Sequence, residues 1–115
     1  KLPCPVAHYI AQILSVDPQE VGQAADDLKS KITFCQLGLF GYGRKGVSAY
    51  KVLGRKVEVP PAVIDRVRAG ASPENSISCR QLWDIADAEG IFRVEAGDVA
   101  DSLGLKIVGC QLRAF

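Results

Sequence analysis

Ile107-Val108-Gly109-Cys110-Gln111-Leu112-Arg113-Ala114-Phe115 repeats an earlier stretch, residues 32–40, which reads Ile32-Thr33-Phe34-Cys35-Gln36-Leu37-Gly38-Leu39-Phe40. The offset is 75 positions (107 − 32), and it persists backwards along the chain. Glu20/Glu95, Gly22/Gly97, Ala25/Ala100, Asp26/Asp101, Leu28/Leu103 and Lys31/Lys106 match, as do Cys4/Cys79, Ile10/Ile85 and Ala11/Ala86. Residues 4–40 and 79–115 align without a gap, with 14 identities in 37 positions. Chance gives roughly two, so a fixed offset of this kind marks a duplicated supersecondary unit.

Each copy reads as helical. Pro5 suits a first helical turn, and Val6, Ile10, Ile13 and Leu14 recur at helical spacing, which predicts a helix over residues 5–14. Asp17-Pro18-Gln19-Glu20 is a helix start, with Asp17 as N-cap, Pro18 first in the helix and Glu20 at the capping-box position. That helix should reach Leu28, with Val21, Ala24, Ala25 and Leu28 inward. Ser30 is then expected to cap a third helix carrying Ile32, Cys35, Gln36, Leu39 and Phe40. The second copy predicts helices from Ser78 to Gly90 and over residues 94–103, a turn at Gly104, and a last helix from Lys106.

The expected fold is therefore mainly α: two repeated three-helix units, residues 1–40 and 76–115, joined by a basic connector, residues 41–75. In that connector Val47–Leu53 and Val57–Val59 have the composition of a short hairpin around Gly54-Arg55-Lys56, and Pro61 can open a helix over residues 62–68. Given the apolar third helices, one core shared by both copies is expected.

Bulk composition narrows the function classes. The chain has 115 residues, 48% hydrophobic and 23% charged, an ordinary globular balance. No apolar run approaches the ~20 residues of a membrane-spanning helix, and Lys1-Leu2-Pro3-Cys4 carries no signal-peptide core. A cytoplasmic protein without a membrane partner is expected, and a start without Met suggests a trimmed fragment. The net charge of +1 excludes a polyanion binder working on bulk charge alone. Yet Arg44, Lys45, Lys51, Arg55, Lys56, Arg66 and Arg68 against Glu58 and Asp65 give seven minus two, or +5, between residues 42 and 68. Any nucleic-acid surface belongs there.

In the second copy, Val99-Ala100-x-x-Leu103-Gly104-Leu105 resembles the centre of a helix-turn-helix motif, in which a small residue lets two helices approach and Gly permits the turn. The resemblance spans residues 94–115 and, through the repeat, 19–40. A basic hairpin after the first unit would resemble the wing of winged-helix proteins. The first copy departs from the pattern, with Lys29 where the turn glycine should stand. The third helices also offer few base readers: only Gln36, Gln111 and Arg113 suit bidentate contacts. Helices apolar nearly all round are usually buried on both sides, so the Cys-Gln-Leu motif reads first as a repeat–repeat interface across a pseudo-twofold axis.

Cys4, Cys35, Cys79 and Cys110 fall at equivalent positions of both copies. A metal site built from these four is conceivable, but the paired Cys-x2-4-Cys spacing of structural zinc is absent, and buried thiols packing as small hydrophobes are favoured three to one. His8 corresponds to Trp83, an exchange that suits a packing position and not a catalytic base. Gly41-Tyr42-Gly43-Arg44-Lys45-Gly46 lacks the spacing of a nucleotide loop. No catalytic constellation repeats, so neither an enzyme nor a cofactor is expected.

What the helix-turn-helix resemblance implies is a regulator that binds double-stranded DNA. Arg44, Lys45, Lys51, Arg55 and Lys56 would hold phosphates, with Lys31, Gln36, Lys106, Gln111 and Arg113 at the helix ends. The competing expectation is a protein-interaction or assembly module, with a protein partner or a homodimer, exposing Phe34, Leu37 and Leu112 as an apolar patch. A thiol-based metal or redox sensor is a distant third.

Overall fold

The computed structural model describes residues 1–40 and 58–114. In order, its elements are β1 (Leu2–Pro3), α1 (Cys4–Leu14), α2 (Pro18–Asp27), β2 (Ile32–Thr33), α3 (Pro61–Gly70), β3 (Ser76–Ser78), α4 (Cys79–Glu89), α5 (Arg93–Ser102) and β4 (Lys106–Val108). The described chain is mainly helical, with two small strand pairs.

The duplication is visible in the backbone. In each copy a short strand leads directly into a helix, a second helix follows, and the chain returns as a strand parallel to the first. A parallel pair needs a crossover of about this length, and the two helices supply it. Leu2 pairs with Ile32 in the first copy, and Ile77 pairs with Ile107 in the second. Adding 75 to each residue of the first pair yields the second pair.

Local signals place the helices. Glu20 Oε2 accepts from the Asp17 N–H at 3.1 Å, and the equivalent Glu95 Oε1 accepts from the Phe92 N–H at 2.9 Å. Ser78 Oγ accepts from the Gln81 N–H at 3.1 Å, while Gln81 Oε1 accepts from the Ser78 N–H at 2.9 Å, a reciprocal cap. Pro61 opens α3 as its sequence suggests. The hairpin expected over residues 47–59 lies outside the described residues up to residue 57.

The third helix of each copy is corrected. Where it was expected, residues 32–33 and 106–108 are strands and the following Cys-Gln segments are turns. The β-branched Ile32, Thr33, Ile107 and Val108 favour a pleated pairing, and β1 and β3 offer them partners. Thus the segment that a helix-turn-helix would use for recognition is strand and turn here. The inward face of α2 is also narrower than expected: Val21 and Ala25 are buried, whereas Ala24 is exposed and Leu28 is 80% exposed.

Lys29 makes the same turn as Gly104. Lys29 has φ 56° and Gly104 φ 71°, and both N–H groups donate at 3.0 Å to the carbonyl three residues back, Asp26 and Asp101. The next residues, Ser30 and Leu105, donate to the Ala25 and Ala100 carbonyls. The first turn is therefore as tight as the second, but it holds a side chain in the left-handed region at a cost of about 1–2 kcal/mol. Lys29→Gly relieves that cost and gives back part of it as unfolded-state freedom, for a net gain of about 0.5–1 kcal/mol. Urea unfolding should show a higher midpoint at unchanged slope.

Buried side chains from both copies, together with Val63 and Val67 of α3, form one hydrophobic cluster. The expectation of a shared core holds among the described residues.

Candidate functional site: the seam between the repeats

Leaving each second strand, the chain turns through Cys-Gln-Leu and presses the leucine into the core: Leu37 and Leu112 are fully buried. The expected apolar patch of Phe34, Leu37 and Leu112 is therefore corrected, since only Phe34 among them is exposed. Leu112 lies against α2 of the other copy. A Cβ on Gly22 would lie 2.8 Å from the Leu112 carbonyl carbon and closer still to its oxygen, so only glycine admits this approach.

His8 and Trp83, equivalent in the two copies, touch each other with ring centroids 4.3 Å apart. Each of the two thus meets its own counterpart, as residues beside a pseudo-twofold axis would. Arg93, the first residue of α5, sits over the Trp83 ring at 3.8 Å. It donates to Asp87 Oδ1 and Oδ2 at 3.2 and 2.9 Å, and to Gln36 Oε1 of the other copy at 2.8 Å. The guanidinium holds the Asp87 carboxyl below its usual range by hydrogen bonding. Burial, with a smaller contribution from Arg93, lowers His8 to about 4, so the imidazole is neutral at pH 7.

The thiols gather at the same seam. Gln36 Nε2 donates to Cys4 Sγ at 4.0 Å, and the equivalent Gln111 Nε2 donates to Cys79 Sγ at 3.5 Å. Cys4, Cys35 and Cys79 are buried and Cys110 is half-buried, all as free thiols. Burial pushes Cys4 up to about 12 and Cys79 up to about 11, and raises Cys35 as well. Each also feels neighbouring thiols from the opposite copy, Cys4 sensing Cys79 and Cys35 sensing Cys110. Protonated thiols packed in this way are poor nucleophiles. Among the described residues no three His, Cys, Asp or Glu side chains form a group that could hold a metal ion.

A surface groove of about 460 Å³ opens beside Arg93, lined by Gln36, Asp87, Ile91, Phe92 and Val94 as well. Its polar groups are already bonded to one another.

The candidate DNA contacts separate into three groups. Gln36 and Gln111 are half-buried: Gln36 donates to Cys4 Sγ and accepts from Arg93, and Gln111 donates to Cys79 Sγ. Lys31, Lys106 and Arg113 are exposed, the two lysines at equivalent positions, Lys31 just before β2 and Lys106 first in β4. Arg44, Lys45, Lys51, Arg55 and Lys56 lie outside the described residues. Sequence reasoning missed Gly22 and Arg93. Gly22 carried a usable signal: glycine inside a helix costs about 1 kcal/mol relative to alanine, yet both copies keep one, at 22 and 97. Arg93 replaces Pro18 of the first copy and had no such signal.

No membrane-crossing helix is present among the described residues. Comparison with protein-family models, with curated proteins and with solved structures finds no match.

Proposed function

We propose that the chain is a non-enzymatic, regulator-like protein that binds double-stranded DNA by holding phosphates. The observation that carries this reading is the segregation of charge: +5 between residues 42 and 68 in a chain of net +1. The duplication supports it, because Lys31 and Lys106 are exposed at equivalent positions of two related units, and duplex DNA offers its backbone with approximate twofold symmetry. Arg113 adds a further exposed cation. With Gln36 and Gln111 occupied inside the protein, affinity comes from counterion release and only weakly from base identity.

Fluorescence anisotropy with random duplex DNA tests this. Affinity should fall at least ~100-fold between ~50 and ~200 mM salt if five or more phosphates are neutralised. The Arg44→Ala, Lys45→Ala, Arg55→Ala, Lys56→Ala variant should lose binding while keeping its helical circular dichroism. No binding at ~50 mM salt and high micromolar protein would overturn the proposal.

A second reading, a protein-interaction module, is favoured by one different observation: among the described residues, α1 exposes the large apolar side chains Val6, Tyr9, Ile13 and Leu14.

A further inference from the structure

His8 is the only histidine of the chain, and histidine is the side chain whose charge ordinarily changes between about pH 5 and 8. It lies on α1 between the buried Ala7 and Ala11, itself half-buried, with its ring against Trp83 of the opposite copy at 4.3 Å. The described elements around it offer no anion. From α4, Trp83 presents an uncharged indole, and the Asp87 carboxylate is committed to Arg93 through two hydrogen bonds. From α5 comes Arg93 itself, a cation 3.8 Å from the centre of the same indole. The acidic residues of α2, Glu20, Asp26 and Asp27, are all exposed to solvent. One turn before His8 on its own helix, Cys4 is a protonated thiol. A proton on His8 would set a second positive charge near Arg93, half-buried and without a counter-ion. Burial and charge repulsion both oppose it.

We propose that His8 is an acid-sensitive latch between the two copies: its neutral ring packs the seam against Trp83, and the imidazolium loosens it. The device is one-sided, because the equivalent position of the second copy holds a tryptophan, which does not titrate. Linkage gives the direction. Burial and Arg93 lower His8 to about 4 in the folded chain, whereas an unfolded histidine titrates near ~6.5. The unfolded chain takes up the proton first as pH falls. Stability from the neutral ring is thus complete above about 6.5 and is lost progressively down to about 4. Asp87 behaves differently. Arg93 holds its carboxyl below the usual range, so its contribution is lost only at more acid pH, and the Arg93–Asp87 pair outlasts the latch.

Two measurements on the whole chain test the proposal. The imidazole proton resonances of the sole histidine, followed by NMR in the folded chain, should titrate with a midpoint below about pH 5.5. Urea unfolding at about pH 7 and about pH 5 should show the folded-to-unfolded ratio of the parent falling at least about fivefold more than that of His8→Phe. Phenylalanine keeps an uncharged ring in the place, as Trp83 does in the second copy, and other groups that titrate in this window act on parent and variant alike. A resonance midpoint above about 5.5, or a smaller excess loss in the parent, would overturn the proposal. Should His8→Phe not fold, the resonance midpoint alone decides. DNA takes no part in either measurement, so failure of one proposal does not touch the other.

Discussion

Gly22→Ala should destabilise the chain by at least ~3 kcal/mol, enough to remove most of the marginal stability of a small domain. Helix propensity alone predicts the opposite sign, because alanine inside a helix gains about 1 kcal/mol over glycine. The contact decides. The added methyl group would meet the Leu112 carbonyl, which is backbone and has no rotamer to escape into. Leu112 itself is buried, so its turn cannot retreat without opening the core. Gln23→Ala, one residue along on the exposed side of the same helix, should be nearly neutral or slightly stabilising. Urea titrations of the two variants measure the difference, and a neutral Gly22→Ala would mean that the two copies do not meet as described.

Trp83→Ala should cost about 3–5 kcal/mol. Trp83 is buried and touches His8 across the axis, while Arg93 lies over its ring. Truncation therefore opens a cavity and removes the surface that orients the guanidinium, which loosens the Gln36 contact as well. Trp83→Phe keeps a ring and should cost clearly less, about 1–2 kcal/mol. Because Trp83 is the sole tryptophan, circular dichroism is the suitable probe of unfolding. A loss under about 1 kcal/mol for Trp83→Ala would show that the seam relaxes around the gap.

Much of the architecture was legible in the residues. The offset of 75 revealed the duplication, and Asp17-Pro18 and Ser78 marked helix starts that the backbone keeps. The third helices were not legible because their segments are too short to display a period. Ile32, Cys35, Gln36 and Leu39 fit helical spacing, yet only two residues of that stretch pair as strand, and their partners Leu2 and Pro3 are thirty positions away. Side-chain pattern records which residues are buried; it does not record that a neighbouring strand supplies the hydrogen bonds. The outer stripe of α1 is a related case. Val6, Ile13 and Leu14 have the spacing of a core face, but the core side of α1 is lined instead by Cys4, Ala7 and Ala11. Small residues bring the helix close to its neighbours, and apolar bulk is left outside.

The contact of His8 with Trp83 also speaks about ancestry. If the single unit preceded the duplicated chain, two separate copies of it would have met at this same place, each presenting an identical side chain to its twin. Identical partners can change only together. Joining them through one chain releases that constraint, and the two sides become free to differ: a histidine opposite a tryptophan, and Arg93 on one side where the other has Pro18. On that history, a true twofold axis between two chains would have become an approximate one within a single chain.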